Sequence, residues 1–260
     1  MNALSRFFFF ALLGAVPAAH AYVANPYASG SETLYLKWGN DNHAGTPGGI
    51  VYWSFVPAGT AGSAYCTSAC PGVSTDSIEM EVSPGGGFAL KKLSDLEPEI
   101  GAMMARWSAY SGIRFVKVPS DSGVPIDDPS AIPPATGQIR IGVFAFSDNS
   151  VAGVGYSPPP NGGTGAGNIL FNSNAYYQDY DLPEDSPYDT TYAPNDFQSL
   201  MLHELGHAVG MEHPPSNDGT CPVMYPYAPC FGIVKRQLEA DDINGMWFLY
   251  GAIFVDGFGD

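Results

Sequence analysis

Residues 203–213 read His-Glu-Leu-Gly-His-Ala-Val-Gly-Met-Glu-His, which sets three imidazoles and a carboxylate at spacings suited to one metal ion. On a helix, His203 and His207 lie one turn apart and project from the same face, so both can reach one point. Gly210 has no Cβ and can take the left-handed conformation that ends a helix, which lets His213 turn back and close the ligand set. Glu204 stands beside the first ligand, placed to act on a water at the ion rather than on the ion itself. Three protein ligands with a fourth position open is the pattern of catalytic zinc; structural zinc sites fill all four. A lone helical histidine is more often a packed or solvated side chain. Here, however, three of the five histidines in the chain fall inside this one motif. The expected chemistry is metal-dependent hydrolysis with a single zinc.

A helix must carry this motif, and Asn195 with Gln198 three residues on reads as a capping pair at its start. Upstream, Ile100, Met103, Met104, Trp107 and Tyr110 recur at helical spacing, predicting a helix from Glu97 to Ser111 that Gly112 ends, with its Met and Trp in the core. Aromatic and β-branched runs predict strands at Thr33–Trp38, Ile50–Val56, Ile113–Val118, Gln138–Phe146 and Asn168–Asn172. Residues 22–32 read as a loosely ordered leader, Pro57–Leu90 as a long Gly/Ser/Pro-rich loop, and 173–194 as another loop. The glycine-rich turn 161–167 lacks the Lys-Ser/Thr of a phosphate-binding loop and reads as a flexible surface loop. A last helix is expected from Lys235 to Tyr250. The order of elements is that of an α+β fold with the active helix beneath a sheet.

Composition bounds the setting. Arg6, the apolar run Phe7–Val16 and Ala19-His20-Ala21 form the pattern of a secretory signal, so a signal peptide over 1–21 and a secreted protein are expected. The remaining length suits one domain, taken as a leader over 22–47, a catalytic domain over 48–251 and a tail over 252–260. With 26 acidic and 10 basic residues the net charge is −16, which argues against nucleic acid and anionic membranes as partners. Clustered acidic oxygens could hold calcium, although a soluble acidic surface needs no ion. Four cysteines in an exported chain suggest two disulfides, and the spacings favour Cys66 with Cys70 and Cys221 with Cys230. A thiolate from Cys66 or Cys70 capping the zinc is the alternative. The partner expected is a protein or peptide substrate, and the chain is expected to be a monomer.

The extended motif resembles the metzincin zinc peptidases, and Cys221-Pro-Val-Met224-Tyr-Pro226 is similar to the methionine turn of their matrixin branch. Pro226 stands where astacin-like and serralysin-like enzymes carry a tyrosine ligand. Leu238–Gly251 is similar to the terminal matrixin helix, and Met104–Phe115 to the first helix leading into a strand. The resemblance implies a metzincin-like catalytic domain with a twisted, mostly parallel sheet over the active-site helix. It further implies a small C-terminal lobe holding the methionine turn and the terminal helix. By the same resemblance, Met224 forms an apolar floor under the ligands, and a large apolar residue is preferred after the cut bond. The chain departs from the family in lacking a Pro-Arg-Cys-Gly latency segment and any histidine between 44 and 202, so one zinc is expected rather than two. Tyr227-Ala228 and Pro214 are also atypical, which puts the specificity pocket in question. The rival readings are a noncatalytic metal-binding or adhesion module on a protease fold, and a narrow hydrolase acting on peptidoglycan or one dedicated partner.

Overall fold

Strand Ile139–Phe144 is buried along its whole length, so a layer must cover each face of the sheet that contains it. The computed structural model describes residues 22–252 apart from 64, 65, 67, 134, 161–164, 181–194, 218, 228, 229 and 231. The expected signal peptide over 1–21, and all but the first residue of the expected tail, lie outside those residues. In chain order the elements begin with β1 (Val23–Ala24), β2 (Pro26–Ser29), β3 (Glu32–Tyr35) and β4 (Ile50–Phe55). Next come β5 (Ser77–Glu81), β6 (Phe88–Lys92), α1 (Glu97–Ser111), β7 (Arg114–Lys117) and β8 (Ile139–Phe144). The remainder are β9 (Gly153–Gly155), β10 (Ile169–Asn172), β11 (Tyr176–Gln178), β12 (Asn195–Asp196), α2 (Phe197–Ala208), β13 (Met211–Glu212) and α3 (Ala240–Tyr250).

The central sheet has the order β7-β4-β8-β10-β9, parallel throughout except for β9 at one edge. One face packs on α1 and α2 through Ile100, Met103, Trp107, Phe197, Met201 and Leu205, while Val56, Phe146, Leu170 and the Cys66–Cys70 disulfide cover the other. Trp107 also ties the two helices by donating its indole N–H to the Leu202 carbonyl at 3.0 Å. Arg140 tolerates burial within β8 because its guanidinium meets the Asp121 carboxylate at 2.7 and 3.0 Å and two loop carbonyls. Helix α1 has the expected bounds, and Gly112 ends it in the left-handed conformation, φ 62°. This is the α+β arrangement expected, with a mixed sheet and three α-helices among the described residues.

Four local expectations need correction. The stretch read as a long loop contains the hairpin β5–β6, which joins β11 and β12 in a second sheet of order β12-β11-β5-β6. Alternate burial along Ser77–Glu81 is the signature of a strand, but the surrounding glycine and serine hid it. Residues 173–194 likewise include β11, paired in parallel with β5 and β12; positions 181–194 are outside the described residues. Residues 22–32 are not a loose leader: β2 pairs with β3, and β1 pairs with β13 just after the histidine helix. The backbone N–H of Tyr22 donates to Asp241 at 2.8 Å. The last helix starts at Ala240, not Lys235, because Glu239 and Asp242 form a capping box there and Gly232–Arg236 is a separate 3-10 turn.

Candidate active site

Helix α2 starts one residue later than Asn195 and Gln198 suggested. Asp196 is the cap, accepting the Ser199 N–H at 2.8 Å, while Asn195 donates to Tyr176 and Gln198 to Asp179. From that start His203 and His207 fall on one face. The chain turns at Gly210, φ 99°, where a Cβ would also strike the Leu36 carbonyl, and His213 comes back toward them. The Nε2 atoms of His203 and His207 each lie 3.0 Å from Nε2 of His213, and one ligand atom from each ring falls within a 4.8 Å group. Four-coordinate zinc with bonds of about 2.0–2.1 Å needs nitrogens roughly 3.3 Å apart, so the donor set fits such an ion.

The ring orientations are held from behind. His203 donates Nδ1–H to the Val223 carbonyl at 2.7 Å and His207 donates to the Met211 carbonyl at 2.9 Å, which leaves each Nε2 lone pair free toward the shared point. Met211 is itself fixed by the β1–β13 pairing, and Val223 by Asp242, whose carboxylate accepts the Val223 and Met224 amides at 2.9 and 3.2 Å. Burial lowers the pKa of all three imidazoles, well below 6.5 for His203 and to about 4 for His213, so they stand neutral, as ligands must. Burial likewise pushes the Asp242 carboxyl up to about 6, against the pull of its three backbone donors.

Glu204 is 5% exposed and faces the edge strand β9 at Gly153 and Gly155. Burial raises its pKa to about 7, offset in part by the Gly155 amide and by the charge of Lys235. Met224 is buried against α2. Its sulfur occupies the place a Cβ on residue 206 would need, so Gly206 is what allows the approach. The Cys221–Cys230 disulfide brackets this segment, and Cys66 is bonded to Cys70, so neither of those thiols is available to a metal. A pocket of about 300 Å³ opens beside His203 and Glu204, with Val151, Leu200, Pro226 and Lys235 in its lining. The larger hollow of about 660 Å³ around Lys37 and Pro47 shares no lining residue with the histidines.

The histidines expected from the sequence are thus brought together, with Glu204 and Met224 beside them. Sequence reasoning missed Asp196, Asp242 and Lys235. Asp196 and Asp242 also have local capping roles, but their contacts to Arg236 and Val223, and that of Lys235 to Tyr225, join separate segments that no local pattern marks.

A mixed α+β domain with three convergent neutral imidazoles and a buried glutamate next to a pocket defines the class: a metal-dependent hydrolase site. Comparison with known sequences gives the family. The matrixin family model matches residues 90–251, and the chain belongs to that family, whose members are zinc-dependent metalloendopeptidases. It is similar to karilysin of Tannerella forsythia, at 29% identity over 161 residues covering 62% of this chain and 30% of that protein. The hatching enzyme of Paracentrotus lividus is 28% identical over 160 residues, 61% of this chain and 23% of its own. The macrophage metalloelastase of Oryctolagus cuniculus is 36% identical over 73 residues, 28% of this chain and 15% of its own. The chain therefore spans less than a third of the length of these relatives.

Proposed function

We propose that the protein is a secreted zinc metalloendopeptidase in which His203, His207 and His213 hold the zinc and Glu204 is the general base. The observation that carries this reading is the convergence of three Nε2 lone pairs beside a buried carboxylate. When bound, zinc would supply Lewis acidity, polarising the scissile carbonyl and lowering the pKa of water toward neutrality. Glu204 takes the proton from that water and later gives it to the leaving amine. The walls around it, with Glu204 and His203 themselves nearly buried, limit bulk water at the reacting centre.

Among the described residues strand β9 is paired on one side only, with β10, and α2 lies against its face, where Cβ atoms on Gly153 and Gly155 would meet Glu204. An extended peptide laid along the unpaired side gains main-chain hydrogen bonds without demanding one sequence, which fits an endopeptidase. Met224 serves as the apolar floor of a methionine turn, supported by its burial against Gly206 and by the disulfide that brackets it. The catalytic domain is taken as 48–251, with signal cleavage after Ala21 leaving Tyr22 next to Asp241. Two disulfides are consistent with export. Hydrolysis of a quenched-peptide library by zinc-loaded protein tests the reading: internal cleavage that a chelator stops and zinc restores is expected. A fully loaded protein that cleaves no peptide or protein would overturn it.

A further inference from the structure

The pocket beside Glu204 contains a charge that the family resemblance does not anticipate. Lys235 is 6% exposed, on the 3-10 turn Gly232–Arg236; it lines the cavity with His203 and Glu204, and its charge acts on both. Among the described residues its single hydrogen bond goes to the Tyr225 carbonyl at 2.6 Å, and no carboxylate lies within ion-pair distance. The other charges nearby are committed. Asp242 gives its oxygens to the amides of Val223, Met224 and Glu239, and Asp196 is paired with Arg236. Among the described residues Glu204 is thus the one carboxylate lining the pocket without a cationic side chain bonded to it. Burial pulls the Lys235 pKa down to about 8, with Asp242 and Glu204 acting against the shift, so the group is mainly an ammonium at neutral pH. A buried cation with unfilled donor capacity costs free energy, and a carboxylate placed on it recovers that cost.

The position of the pocket says which substrate residue meets this charge. Glu204 delivers its proton to the leaving amine, and that nitrogen belongs to the residue immediately after the cut bond. The side chain of the same residue starts one carbon further on, and the cavity next to that point is the one that Glu204 and His203 border. Resting on the peptidase reading above, we infer that this pocket selects an acidic side chain, glutamate foremost, directly after the cut bond, with Lys235 as the residue that sets the specificity. Val151, Leu200 and Pro226 pack on the methylene stem while the carboxylate accepts from Nζ. The large apolar residue implied by the family resemblance would instead leave the ammonium buried and unanswered.

The test uses zinc-loaded protein and quenched peptides identical except for Glu, Gln, Leu or Lys after the cut bond, with kcat and KM read separately. Gln keeps the shape of Glu and removes its charge. Glu is expected to exceed Gln in kcat/KM by on the order of ten- to hundredfold, the factor that one charge-assisted hydrogen bond supplies. Lys235→Met should abolish that ratio and favour Leu, and Lys235→Glu should turn the preference to Lys. Equal cleavage of the Glu and Gln peptides by the unaltered protein overturns the inference, with no variant required to fold. A Glu preference that survives in Lys235→Met also overturns it. In both cases the peptidase reading stands. Absence of cleavage of every peptide, with zinc bound, overturns the peptidase reading and this inference together.

Discussion

Replacing Arg236 with Met should cost the fold about 3–5 kcal/mol, because it strands a carboxylate that the protein has removed from water. The Asp196 side chain is 0% exposed and that of Arg236 10%. The guanidinium approaches both carboxylate oxygens, with Nε at 3.0 and 3.1 Å, and Nη2 also donates to the Tyr180 carbonyl at 3.1 Å. Solvent screening therefore discounts this pair little, unlike an exposed bridge worth about 0–1 kcal/mol. Asp196 is also the cap of the histidine helix, so the unpaired charge would disturb the element that carries His203 and His207. Urea denaturation of the zinc-free protein at pH 7 reads the cost directly, as a lower midpoint at unchanged slope. Asp196→Asn keeps the cap and removes the charge. The double variant should therefore recover roughly 2 kcal/mol of the sum of the two single losses. A single-variant cost below about 1 kcal/mol, or strict additivity in the cycle, would refute the claim that a desolvated pair fixes the start of this helix.

Other perturbations follow from the same contacts. Gly206→Ala would push a methyl group into the Met224 sulfur and to 2.9 Å from the Trp107 ring. It should cost about 1–3 kcal/mol and weaken zinc binding, as read by thermal unfolding and a chelator competition; unchanged affinity would separate Met224 from the ligand geometry. Replacing Cys221 and Cys230 by Ser should remove about 2.5 kcal/mol, given their sequence separation of 9, and denaturation with and without reductant checks it. The preference for acidic substrates should hold below about pH 8 and fade above it. A lysine whose pKa is depressed to about 8 loses its charge as pH rises through that value, and a bound carboxylate only moves the loss higher. The ratio of Glu to Gln peptide cleavage across pH 6–10 reads this, and a flat ratio would contradict it.

The parts that were legible in the sequence depend on short-range periodicity. His203 and His207 sit one helical turn apart, and Gly210 supplies the turn, so the convergence of the three histidines was legible from spacing. The same holds for α1, whose apolar stripe and terminal Gly112 mark both ends. What was missed depends on partners far along the chain. Asp196 and Arg236 are 40 positions apart, and Lys235 reads as an ordinary helical cation until the fold turns it inward to Tyr225. Strand β1 looked like a loose polar leader because its partner β13 lies far along the chain, Val23 pairing with Glu212. In the hairpin β5 alternates, but in β6 Phe88 and Leu90 are both exposed on an edge strand, so the second strand lacks the alternation that marks a half-buried one.

The central claim is that Glu204 moves the proton while the three histidines hold the ion. Glu204→Gln tests it most directly, because it keeps the shape of the side chain and removes only its basicity. The variant should bind about one zinc per chain, like the unaltered protein, and lose on the order of 10²–10⁴ in kcat on a peptide that the unaltered protein cleaves. A zinc-loaded Glu204→Gln protein that cleaves the peptide at the full rate would contradict the account.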